Sequence, residues 1–185
     1  MNFSNNSFFV SCLAVSFLLV GCASQEGADS ATFGFGRKVD RAEIAAWDID
    51  IKPDGSGLPA GQGTVAEGEI LYQQQCLACH GEAGRNGIND QLVSKFDPAV
   101  NFSLGLERKT IGSYWPYATT LYDYIHRAMP HTAPGSLEPA EVYALSAYLL
   151  VLNDIVEEDA VMNRDTLPAI EMPARQLFYW SEELP

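Results

Sequence analysis

Val65-Ala66-Glu67-Gly68-Glu69-Ile70-Leu71-Tyr72-Gln73-Gln74-Gln75-Cys76-Leu77-Ala78-Cys79-His80 is a helical pattern that runs into a chemical motif. Gly68, Tyr72 and Cys76 recur at every fourth residue, which places them on one stripe of a helix. The last five residues follow the Cys-x-x-Cys-His pattern. Two thiols separated by one helical turn can add to the two vinyl groups of a haem, while the imidazole on the following residue reaches the iron. Cys76, Cys79 and His80 therefore imply a covalently bound haem c with His80 as an axial iron ligand. A redox dithiol or half of a zinc site would share the cysteine spacing, but zinc requires a second ligand pair that the sequence does not offer. No second copy of the motif occurs, so a single haem is expected.

A counterpart helix lies toward the C-terminus. Glu138-Pro139-Ala140-Glu141 puts proline at a first helical position, and a helix then runs through Val142, Leu145, Leu149 and Leu152. Between residues 142 and 153 only Ser146 and Asn153 break the apolar run, so this helix must be covered on more than one face. Gly68 and Tyr72 facing Leu145 and Tyr148 resemble the class I cytochrome c signature, in which a glycine and an aromatic of the first helix let it cross closely over the last. The resemblance implies an all-α fold, three to five helices around one covalent haem, with irregular N- and C-terminal extensions.

The iron needs a second ligand. An electron carrier works best with six-coordinate iron whose ligands stay in place on reduction, and a thioether does this while raising the potential. Ala118 to Arg127 reads as a middle helix, with Leu121 and Ile125 four apart, and it delivers Met129 at its exit. Pro130 stops the helix there and frees the sulfur to face the haem. His126 and His131 flank this methionine and stay open as alternatives, because a second imidazole is an equally good ligand. Met162 and Met172 fall in the tail, where thioethers fill core space. The loop Gly84-Arg85-Asn86-Gly87-Ile88-Asn89-Asp90 contains no proline, so a backbone carbonyl near Gly87 or Ile88 is expected to accept the N–H of the His80 ring.

The ends of the chain read differently. Phe8 to Cys22 is apolar but too short for a spanning helix with flanking anchors, so residues 1–21 are expected to be an export signal, one without the usual Lys or Arg. Leu19-Val20-Gly21-Cys22 resembles the bacterial lipobox, which makes Cys22 a lipidation site and places the protein on a membrane in the bacterial periplasm. Residues 22–36 then form a flexible spacer, rich in small and polar residues. Residues 37–64 form an extension packing on the haem domain, opening with a capped helix at Asp40 and Glu43. The haem domain covers 65–153. Residues 154–185 form a C-terminal wrapping tail, with Phe178-Tyr179-Trp180 as anchors. The formal net charge is −13. Such an acidic surface excludes nucleic acid and favours a partner with a basic docking face.

A narrower resemblance covers nearly the whole mature chain. It rests on Thr110-Ile111-Gly112-Ser113-Tyr114-Trp115-Pro116-Tyr117-Ala118-Thr119-Thr120-Leu121, Arg127-Ala128-Met129-Pro130 and Glu141-Val142-Tyr143-Ala144-Leu145. Upstream it takes in Ala42-Glu43-Ile44-Ala45-Ala46-Trp47-Asp48-Ile49 and Asp54-Gly55-Ser56-Gly57-Leu58-Pro59, and downstream Thr166-Leu167-Pro168. These segments resemble the cytochrome c subunit of sulfane dehydrogenase in the bacterial sulfur-oxidation system and the haem subunits of sulfite dehydrogenases. The resemblance implies that a molybdenum-cofactor subunit oxidises the sulfur compound and passes electrons to this haem, while the chain itself does no bond chemistry. It also implies that Tyr114, Trp115 and Tyr117 line the haem pocket. Some members of the family carry two haem domains where this sequence has one. The other readings are a free-standing envelope cytochrome, feeding a terminal oxidase as downstream partner or serving another dehydrogenase, and a haem-based enzyme or sensor, which would need an open iron position.

Overall fold

Two capped helices meet at a glycine, and the rest of the fold is arranged around that crossing. The computed structural model describes residues 35–94 and 109–179. In chain order the described elements are helix α1 (Arg41–Ala45), strand β1 (Gln62–Thr64), helices α2 (Val65–Gln75), α3 (Leu77–His80), α4 (Ile111–Tyr114), α5 (Ala118–Ala128) and α6 (Pro139–Leu152), and strand β2 (Val161–Asn163). Short 3-10 turns occupy Glu82–Gly84, Leu167–Ala169 and Pro173–Leu177. The start of α2 is fixed by a reciprocal cap: the Thr64 hydroxyl accepts the Glu67 N–H, and the Glu67 carboxylate accepts the Thr64 N–H at 2.9 Å. Glu141 closes the start of α6 in the same way, accepting the Glu138 N–H at 2.8 Å, with Pro139 in the first turn.

At the crossing, a Cβ built on Gly68 would lie 1.9 Å from the Ala144 carbonyl oxygen and 2.8 Å from the Tyr148 Cβ. Only a residue without a side chain allows the two backbones this close. One turn further on, Tyr72 and Tyr148 stack at a tilt with ring centroids 5.4 Å apart. The pairing expected from the sequence is present, except that Gly68 meets Ala144 and Tyr148, and Leu145 is instead buried in the core. Valine at position 68 would have to push α6 away. Gly68→Val is therefore expected to destabilise the protein by about 3 kcal/mol or more, the upper end of overpacking costs, read as a fall in the urea midpoint of unfolding.

The apolar run of α6 is covered all round: Val142, Tyr143, Ala144, Leu145, Ala147, Leu149 and Leu150 are buried. Helix α5 covers one side with Leu121, Tyr122 and Ile125, while its Tyr124 faces outward. Asn153 caps the far end of α6, where its Oδ1 accepts the N–H groups of Gly112 (3.1 Å) and Ser94 (3.2 Å). This one amide ties α4 and the residues after the haem motif to α6.

The chain from Ile51 to Pro59 and the tail are built into the same core. Ile51 and Leu58 are buried, the Ile51 N–H donates to the Asp123 carboxylate at 3.0 Å, and the Tyr143 hydroxyl donates to Pro59 O at 2.9 Å. In the tail, β2 pairs antiparallel with β1, with Gly63 opposite Met162. Two three-residue strands carry too little alternation to be read from sequence. Met162, Leu167 and Met172 are the buried anchors, whereas Tyr179 is 64% exposed. The methionines fill the core as expected. Of the terminal aromatics, Phe178 packs on the ring of Tyr114, and Trp180 lies outside the described residues.

The chain divides into compact units Met1–Glu43 and Ile44–Pro185, and α1 spans the boundary. Within the first unit, Asp40 accepts the Glu43 N–H at 2.8 Å, the cap expected from the sequence, and Arg37 pairs with Glu43 at 2.7 Å. Residues 1–34, including Cys22 and all but the last two residues of the spacer, lie outside the described residues. Among the described residues no helix is long and apolar enough to cross a membrane.

Candidate functional site

Helix α2 ends at Cys76, whose N–H donates to Tyr72 O at 2.9 Å, and the chain turns at once into α3. The N–H groups of Cys79 (3.1 Å) and His80 (2.9 Å) both donate to Cys76 O. That single turn carries both thiols and the imidazole. The thiols are unpaired and half-buried. Burial, with a smaller contribution from Cys79, pushes the Cys76 thiol up to about 11, so at neutral pH it is the uncharged form that packs against the core.

The His80 ring is held from behind. Its Nδ1 lies 2.9 Å from the Asp90 carbonyl oxygen. A carbonyl can only accept, so Nδ1 carries the proton and Nε2 keeps the lone pair a metal needs. The acceptor is Asp90 rather than Gly87 or Ile88. Gly87 is used differently, since a Cβ there would come within 2.2 Å of Cys79 O. The loop thus presses its glycine onto the back of α3, the Asn89 N–H donates to Cys79 O at 2.9 Å, and Asp90 is brought level with the imidazole. On the other side of the turn the Tyr72 hydroxyl donates to Gly81 O at 2.8 Å. Burial pushes that hydroxyl up to about 12, so it keeps the proton it donates.

Met129 caps the end of α5, where its N–H donates to Ile125 O at 3.0 Å. Its side chain is half-buried on the hydrophobic cluster that Cys76 and Trp115 also join. The two histidines are placed otherwise. His131 is exposed, and the His126 ring sits 6.0 Å from that of Tyr122, with a buried Nδ1 that has no hydrogen-bond partner. The three aromatics also separate. Trp115 stacks edge-on against Tyr124 at 5.6 Å, while Tyr114 meets Phe178 at 5.2 Å and the Lys109 ammonium at 4.6 Å. Tyr117 carries the Arg175 guanidinium at 5.1 Å. Trp115 is thus the one of the three that shares a cluster with Met129 and Cys76.

Two unpaired thiols one turn apart, an imidazole with Nδ1 tied to a carbonyl, and a half-buried thioether form a donor set that fits a covalently attached haem. The model for the family "Cytochrome C oxidase, cbb3-type, subunit III" matches residues 63–149, from β1 to the last turn of α6. Among solved structures, a chain in the "Crystal Structure of the Sulfane Dehydrogenase SoxCD from Paracoccus pantotrophus" is similar with a TM-score of 0.70 and 38% identity, over 80% of this chain and 71% of that one. The chain belongs to the class I c-type cytochromes. No curated protein sequence matches it. As a c-type cytochrome it takes haem c as its cofactor, and it carries electrons rather than making or breaking substrate bonds.

Proposed function

We propose that this cytochrome holds one haem covalently through Cys76 and Cys79, ligates the iron through His80 and Met129, and accepts electrons from a molybdenum-cofactor dehydrogenase that oxidises a reduced sulfur compound. The likeness to a chain of sulfane dehydrogenase SoxCD, at 38% identity over 80% of the sequence, carries the partner assignment. Haem supplies the one-electron chemistry, since its iron can alternate between ferrous and ferric states. The chain's own residues do the rest. Asp90 O fixes the tautomer of His80, Gly87 and Asn89 clamp the turn that bears both thiols, and the core seats the Met129 thioether. Cys22 anchors the protein by lipid to a membrane in the bacterial periplasm. There the acidic surface steers it to a basic downstream cytochrome or oxidase, at a rate that falls as salt rises.

The test is anaerobic stopped-flow reduction of the haem by sulfite or thiosulfate, with and without the molybdenum-cofactor dehydrogenase encoded beside this chain. Reduction is expected to be at least about a hundredfold faster with that partner, because a docked donor makes the transfer effectively unimolecular. If the partner brings no acceleration, or no such gene adjoins this one, the dehydrogenase reading fails. A second reading, a free carrier delivering electrons to a terminal oxidase, is favoured by the oxidase-subunit family that matches residues 63–149. Oxidation of the reduced protein by membranes containing that oxidase, without any dehydrogenase requirement for its reduction, would support it.

A further inference from the structure

Ile44, Trp47 and Ile49 are 49%, 85% and 47% exposed. They are displayed on a closed turn rather than loose chain: the N–H groups of Trp47 and Asp48 both donate to Ile44 O at 2.9 Å, and the Ile49 N–H donates to Trp47 O at 3.0 Å. Immediately after it, Ile51 is buried, and its N–H is bound by Asp123 at 3.0 Å. Asp123 also accepts from Arg127 Nε at 2.9 Å. The turn is therefore pinned to α5, the helix that ends at Met129. An indole and two branched aliphatic groups held in water within six residues mark a surface that something covers, and tryptophan is among the residues enriched at interface hot spots.

We infer that the turn Ile44 to Ile49 is the surface by which the dehydrogenase holds this cytochrome, receiving Trp47 in an apolar pocket. The inference rests on the dehydrogenase reading given above. Charge favours a protein occupant. Residues 44–52 carry Lys52 against Asp48 and Asp50, a nearly balanced stretch in a chain of −13. A partner covering it buries little excess charge and leaves the acidic surface free for a different, transient encounter. A lipid surface fits less well. Interfacial segments set a wide apolar face against Lys and Arg, whereas here Asp48 and Asp50 alternate with Trp47 and Ile49, and anionic headgroups would repel those carboxylates.

The test uses the full haem-loaded protein and the adjoining-gene dehydrogenase, with affinity measured by calorimetry at low and high salt. Trp47→Ala and the double variant Ile44→Ser/Ile49→Ser change exposed side chains, so the haem spectrum and unfolding midpoint should stay at their wild-type values. Dissociation constants are expected to rise about thirtyfold or more for Trp47→Ala, with little salt dependence in the wild type. Unchanged affinity in both variants overturns the inference while leaving the dehydrogenase reading intact. A wild type that does not bind the dehydrogenase overturns that reading, and this inference with it. Binding of Cys22→Ala protein to phosphatidylglycerol vesicles that requires Trp47, together with unchanged dehydrogenase affinity in Trp47→Ala, overturns it in favour of a membrane contact.

Discussion

Serine in place of Cys76 or Cys79 is expected to lower the yield of protein that keeps haem through acid-acetone extraction by about tenfold or more, because a hydroxyl has the shape of the thiol but does not add to a vinyl group. The two positions should differ in a second respect. Cys76 packs against the core with its thiol uncharged, so a serine there also buries a hydroxyl, at a cost of about 1–3 kcal/mol. Cys79 is half-buried but no part of that cluster. Cys79→Ser should therefore lose haem while keeping more of the wild-type unfolding midpoint than Cys76→Ser. Intact mass gives the haem content, and urea unfolding of the haem-free fractions gives the stability. Wild-type haem that extracts completely would end the covalent assignment.

The attachment turn was legible because covalent chemistry fixes both residue type and spacing, and no packing alternative produces Cys-x-x-Cys-His. The helix crossing was legible for a related reason. A glycine on the stripe that leads into the motif, facing an apolar run near the C-terminus, has few uses other than close approach, and a Cβ on Gly68 would indeed collide with the Ala144 carbonyl. What escaped the sequence are contacts made by backbone. The acceptor for His80 is a carbonyl, which every residue has, so nothing in the identity of Asp90 announces it. Gly87, a candidate acceptor from the sequence, serves as the clamp instead. The β1–β2 pairing was hidden because strands this short lack a period.

Asp123 is a different kind of omission. Its spacing from Arg127 suggests an ordinary surface pair on a helix. In the fold the carboxylate is buried and holds the Ile51 N–H as well. A pair that looks solvated therefore links the N-terminal extension to the helix that carries Met129, a long-range contact that no local pattern encodes. The same limit applies to the aromatics at 114, 115 and 117. Adjacent in sequence, they part company because the turn between α4 and α5 sends Tyr114 and Tyr117 toward the tail and Trp115 toward the core.

Met129→Leu is the sharpest test of the iron's second ligand, because it keeps the packing and removes only the sulfur. Met129 is half-buried on the hydrophobic cluster, so leucine should cost less than about 1.5 kcal/mol, the usual range for such a swap. Met129→Ala would add a cavity at about 2 kcal/mol or more and blur the comparison. With the thioether gone, the charge-transfer band from methionine to ferric iron should vanish, ferrous protein should bind carbon monoxide, and the potential should fall by a sizeable share of the roughly 0.8 V that axial ligation spans. His131→Ala should do none of this, since His131 is exposed. Nor should His126→Ala, since that ring packs beside Tyr122. Replacing His126 should instead remove a buried ring nitrogen that has no hydrogen-bond partner, with little change in potential and a stability change set by lost packing alone. If Met129→Leu keeps the band, another methionine supplies the sulfur, and if either histidine variant gains carbon monoxide binding, the second ligand is an imidazole; either result makes the assignment of Met129 wrong.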